Sequence, residues 1–151
     1  MNIAADAKRP TRFLLIDDDD DHALLVRRTF DREETPTTLN RLADGEEALR
    51  YLRKEGEHAD ALTPDVVLLD LNLPRRSGHE ILEDLKSDPV LRKIPVVVIT
   101  SSDDAKDRGK AYEKYANSYL VKPIDFKQFR QMIHDLSQYW SVWNQMPGDE
   151  S

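Results

Sequence analysis

The chain reads as an α/β protein with a doubly wound parallel sheet of five strands, each followed by a helix. Three observations carry that expectation. Five short apolar runs recur along the 151 residues. The strongest are apolar throughout rather than alternating, which marks strands covered on both faces. The stretches between them repeat apolar residues at helical spacing, so the order is βα five times over.

The elements follow in turn. Phe13–Ile16 is the first strand, and Asp20 or Asp21 caps a helix over Ala23–Arg32 that carries Leu25, Val26 and Phe30. Thr38–Leu42 is a weaker strand, followed by a helix over Gly45–Lys54 with Ala48, Leu49 and Leu52. The polar stretch Glu55–Pro64 reads as a surface loop before the third strand, Val66–Leu69. His79–Ser87 is helical and stops before Pro89. Val96–Ile99 is the fourth strand, Ala105–Lys114 a weaker helix, and Tyr119–Val121 the fifth strand. The last helix, Phe126–Trp143, has the clearest pattern. Its residues Phe126, Phe129, Ile133, Leu136, Trp140 and Trp143 form a heptad stripe. One folded domain over 12–144 is expected, between a loose tail at 1–11 and a polar tail at 145–151.

Composition narrows the function classes. The net charge is −7 and the pI about 5.1, which argues against non-specific binding to nucleic acid or to an anionic membrane surface. There is no cysteine, so disulfides, thiolate metal sites and cysteine nucleophiles are excluded. No apolar run approaches the ~20 residues of a membrane span. No signal peptide precedes the first strand, so the expected compartment is the cytoplasm. Only polar residues follow the last helix, so no DNA-reading or enzymatic module is expected there.

In open parallel sheets, ligands bind beyond the carboxyl ends of the strands. Asp17 and Asp18 follow the first strand, Asp70 the third, Thr100 the fourth, and Lys122 with Pro123 the fifth. Three carboxylates, a hydroxyl and an ammonium therefore converge on one edge. Two carboxylates 4 Å apart repel by roughly 4 kcal/mol at an effective dielectric near 20, so they call for a cation. Hard carboxylate oxygens suit Mg²⁺, with Mn²⁺ as an alternative ion. A central carboxylate beside such a metal is a nucleophile toward a phosphoryl group, and Thr100 and Lys122 supply polar contacts to the peripheral oxygens. The run Asp17–Asp21 is not a calcium loop of the EF-hand type, which would want glycine at His22 and glutamate at Arg28. Asp19 reads as solvent-exposed, and the four histidines as surface or helix-face residues.

The acidic pair, LLDLNLP, the Thr-Ser after the fourth strand and the Lys-Pro after the fifth occur in a characteristic order and spacing. The stretch from Arg12 to Gln138 thereby resembles the receiver domain of two-component response regulators. The resemblance implies a flavodoxin-like (βα)5 sheet of order 2-1-3-4-5, here with an extended C-terminal helix. It implies that Asp70 accepts a phosphoryl group from a sensor histidine kinase. Asp17, Asp18, Asp70 and the backbone carbonyl of Asn72 would hold Mg²⁺, while Thr100 and Lys122 contact the phosphoryl group. Tyr119 matches the switch aromatic, which turns inward as Thr100 moves, and Pro123 would follow a cis peptide bond. Catalysis would be confined to the protein's own phosphorylation and dephosphorylation.

The aromatic end of the last helix suggests a homodimer through Phe129, Ile133, Leu136, Tyr139, Trp140 and Trp143. It also resembles single-domain regulators paired with phytochrome kinases, so a phytochrome-type photoreceptor is an expected partner. Two other functions compete. A haloacid-dehalogenase-type phosphatase also uses a strand-end aspartate, Mg²⁺, threonine and lysine, but wants a second aspartate where this chain has Asn72. An interaction protein that keeps only the fold would not need the complete acidic set.

Overall fold

A computed structural model describes residues 9–147. Five parallel strands lie in the order 2-1-3-4-5. They are β1 (Thr11–Ile16), β2 (Thr37–Leu42), β3 (Val66–Leu69), β4 (Val96–Thr100) and β5 (Ser118–Val121). The helices are α1 (Asp20–Asp31), α2 (Gly45–Leu52), α3 (Gly78–Ser87), α4 (Ala105–Glu113) and α5 (Phe126–Gln138).

Strand side chains alternate between the two faces, and both faces are dry. Leu14, Ile16, Val67, Leu69, Val96 and Val98 point to the core shared with α2, α3 and α4. Phe13, Leu15, Val66, Leu68, Val97 and Ile99 point to the core shared with α1 and α5. This two-sided burial is why Phe13–Ile16 of β1 and all of β3 and β4 show no polar alternation, whereas the edge strands β2 and β5 are only partly buried and carry polar residues. The register aligns the carboxyl ends of the strands. Ile16 pairs with Leu42 and with Leu69, and Thr100 pairs with Val121. The residues just past these positions therefore emerge on one edge.

Several boundaries differ from the expected ones. The N-cap of α1 is Asp19, whose carboxylate accepts from the backbone N–H groups of Asp21 and His22. Five adjacent aspartates offer equally good caps, and the chain takes the first that leaves Asp17 and Asp18 outside the helix. The long loop after α2 holds a 3₁₀ turn, Gly56–His58. Residues 1–8 and 148–151 of the expected tails lie outside the described residues. The neighbouring positions are tied down: Arg9 makes a two-pronged pair with Asp65 at 2.8 Å on each arm, and Met146 packs against the α1–α5 core.

The last helix does not run evenly to Trp143. After Gln138 it passes into a π-helical turn, Tyr139–Trp143, which rotates the stripe. Phe129, Ile133, Leu136 and Trp140 are buried in the protomer's own core, so they are not available to a partner as expected. Trp140 is 8% exposed, whereas Tyr139 is 53% and Trp143 75% exposed.

Candidate functional site

The hydrogen-bonded ladder continues one residue past three strands and so fixes the backbone of three site residues. Asp17 N–H donates to the Leu42 carbonyl at 3.2 Å, Asp70 N–H to Ile16 at 2.9 Å, and Lys122 N–H to Thr100 at 2.8 Å. Gly78 holds Asp70 from the other side. Its N–H donates to the Leu71 carbonyl at 2.8 Å, and a Cβ at this position would overlap the Asp70 carbonyl oxygen and Leu71 Cα. The start of α3 therefore rests directly on the residue after β3.

The side chains converge as their strand-end positions predict. Lys122 Nζ donates to Asp17 Oδ2 at 2.8 Å and to Asp70 Oδ2 at 2.9 Å. Asp17 is 2% and Asp70 5% exposed. Their other oxygens accept backbone N–H groups, Asp19 to Asp17 Oδ1 at 2.9 Å and Asn72 to Asp70 Oδ1 at 3.0 Å. Thr100 is fully buried and joins the site through the Asn72 amide, which donates to its hydroxyl at 3.3 Å. Tyr119 is half-buried, and its hydroxyl donates to the Ser102 carbonyl at 2.9 Å. Among the described residues no peptide bond is cis, so Lys122–Pro123 is trans, against the expectation. Lys122 is aimed instead by its backbone bond to Thr100 and by its carboxylate contacts.

Electrostatics sharpen the picture. Burial alone would pull the Lys122 ammonium down, but Asp17 and Asp70 outweigh it and hold its pKa above the ordinary value. Burial pushes the Asp17 carboxyl up, against the pull of Lys122. Two buried carboxylates face one ammonium, and Asp18 adds a third, exposed carboxylate. Asp17, Asp18 and Asp70 each bring an oxygen within 4.8 Å of the others. This hard-oxygen set fits a divalent cation such as Mg²⁺ or Mn²⁺.

Residues that the sequence did not single out complete the site. His22, in the first turn of α1, places Nδ1 2.9 Å from Lys122 Nζ. Its signal was position: one turn into the helix that follows the acidic strand end, it overhangs the same edge. Ser102, Asp107 and His79 form a chain beside Tyr119. The Ser102 hydroxyl donates to Asp107 Oδ2 at 2.6 Å, and His79 Nε2 lies 3.1 Å from Asp107 Oδ1.

A buried lysine clamped between strand-end aspartates on a 2-1-3-4-5 sheet defines the class, and residues 13–134 match the response regulator receiver domain family. The chain belongs to that family and is a receiver-domain response regulator. It is 41% identical to the probable methanogenesis regulatory protein FilR2 of Methanothrix harundinacea, over 95% of this chain and 92% of that protein. It is 34% identical to the response regulator Rcp1 of Synechocystis, over 87% of this chain and 89% of the relative. The crystal structure of the phosphorylated cyanobacterial phytochrome response regulator RcpA superposes with a TM-score of 0.89. That pair shares 34% identity over 92% of this chain and 99% of RcpA. The Mn²⁺-bound form of Rcp1 gives a TM-score of 0.88 at 33% identity, over 92% of this chain and all of that one.

Proposed function

We propose that Asp70 takes up a phosphoryl group from a histidine kinase in a reaction that depends on a divalent cation. The single observation that carries this is the buried pair Asp17 and Asp70 sharing Lys122, with Asp18 beside them. Asp17, Asp18, Asp70 and the Asn72 carbonyl would hold Mg²⁺ or Mn²⁺. When bound, the cation neutralises charge on the incoming phosphoryl group. Asp70 Oδ2 attacks phosphorus and the imidazole of the donor leaves. Lys122 then transfers its hydrogen bond from Asp70 to a phosphoryl oxygen. Thr100 gives up its contact with Asn72 for the same group, and Tyr119 follows it into the space behind. A local gain of charge thereby biases a two-state element.

A monoester phosphatase is the weaker reading. Asn72 stands where such an enzyme needs an acid to protonate the leaving group, and an amide has no proton to give at neutral pH. Phytochrome-type photoreceptor kinases are the partner class that the likeness to RcpA supports. No helix among the described residues is long and apolar enough to cross a membrane. A homodimer is supported by the exposed Tyr139, Val142 and Trp143 of the π turn after α5. The test of function is phosphotransfer from a histidine kinase with Mg²⁺ present. Transfer to the wild type and none to Asp70→Ala is expected, and undiminished transfer to the variant would overturn the reading.

A further inference from the structure

We infer that His22 is a positioning residue for Lys122, an inference that rests on Asp70 being the phosphoacceptor. An ammonium has three donors and no acceptor. In this site each donor has one partner: Asp17 Oδ2 at 2.8 Å, Asp70 Oδ2 at 2.9 Å and His22 Nδ1 at 2.9 Å. With Lys122 donating to it, His22 Nδ1 carries the lone pair and the ring is the Nε2–H tautomer. The Asp19 carboxylate, 3.1 Å from the same nitrogen, can then be only a charged neighbour, since two acceptors form no hydrogen bond. Its other oxygen, Oδ1, accepts the backbone N–H groups of Asp21 and His22.

The three acceptors of Lys122 are not equivalent during phosphoryl transfer. Asp70 becomes an acyl phosphate and gives up its carboxylate charge. Asp17 gives one oxygen to the lysine and the other to the Asp19 N–H, and would share its charge with a bound cation. His22 alone keeps the same lone pair in the same place throughout. Its ring cannot swing freely, because it stacks on the buried Phe129 of α5 with centroids 5.4 Å apart and planes 17° from parallel. Phe129 is itself 1% exposed. A neutral acceptor anchored on the core thus fixes Nζ while its two charged partners change, and leaves one donor free to follow the phosphoryl group.

Asparagine and leucine at position 22 separate this role from packing. Asn has an oxygen at nearly the place of Nδ1, and Leu has the same shape with no acceptor. The experiment follows labelling by acetyl phosphate with Mg²⁺ for wild type, His22→Asn and His22→Leu, with Mg²⁺ affinity measured by calorimetry on each. The labelling rate is expected to fall on the order of fivefold to tenfold in His22→Leu, as for a misplaced catalytic group. It should return to within about twofold of wild type in His22→Asn, with Mg²⁺ affinity unchanged in both. Equal rates in Asn and Leu variants, fast or slow, overturn the positioning role and leave the phosphoacceptor standing. A wild type that takes no label removes the phosphoacceptor and the inference together. Nitrogen-15 NMR of the wild-type histidine needs no variant: the Nε2–H tautomer is expected, and an Nδ1–H ring contradicts the inference.

Discussion

At Lys122 one ammonium answers to two buried carboxylates, and this imbalance organises the site. Asp17, Asp70, Thr100 and Lys122 were legible in the sequence because each ends or directly follows an apolar strand whose direction is fixed. Asp19, His22, Ser102 and Asp107 were not, because they sit just before or within the first turn of a helix, where side-chain direction depends on which residue caps it. The Ser102–Asp107 contact yields a pH prediction. Ser102 first, and His79 second, hold the Asp107 carboxyl below the usual carboxylate range. A carboxyl depressed in the folded state adds stability above its unfolded pKa, and that stability is lost as pH falls through the folded one. Ser102→Ala should therefore cost about 1 kcal/mol at neutral pH. The difference from wild type should shrink at pH values below the ordinary aspartate pKa of about 3.9. Urea unfolding at both pH values measures it, and a difference independent of pH would contradict the assignment.

Among the elements, the junction of β3 and α3 leaves the least room. Gly78 is needed for close approach, not for unusual backbone angles, since a Cβ would meet the main chain of Asp70 and Leu71. Gly78→Ala must push α3 away from the end of β3. A loss of about 1–3 kcal/mol is expected from such overpacking, together with slower labelling of Asp70. Denaturant unfolding and labelling of the same sample check both. An alanine variant as stable and as fast as wild type would show that the junction gives way easily. The central strands β1, β3 and β4 were readable as elements because both their faces are apolar, while the edge strand β2, half polar, gave a weaker signal. The end of α5 was not, because a heptad stripe does not reveal that a π turn at Tyr139 rotates Trp140 inward and Trp143 outward.

For the whole molecule, the consequence is a division of labour between two tryptophans three residues apart. Trp140 belongs to the core shared by α1, α5 and the sheet, and Trp140→Ala should cost about 3–5 kcal/mol. Trp143 is three-quarters exposed. Trp143→Ala should leave the unfolding midpoint nearly unchanged and weaken self-association in sedimentation velocity. If Trp143→Ala unfolds as easily as Trp140→Ala, the π turn is misplaced. If it assembles like wild type, the outward face is not the contact. The sequence pointed to both tryptophans as interface, since helical periodicity alone cannot tell a stripe that covers its own sheet from one that awaits a partner.

The sheet gathers Asp17, Asp18 and Lys122 around Asp70, the residue we propose to hold the phosphoryl group. The most direct test is to treat the wild-type protein with acetyl phosphate and Mg²⁺, trap the acyl phosphate by borohydride reduction, and map the modified residue by peptide mass spectrometry. A reduced residue at position 70, lost when Mg²⁺ is chelated, is the expected result. Modification at another carboxylate, or at Asp70 regardless of the metal, would contradict it.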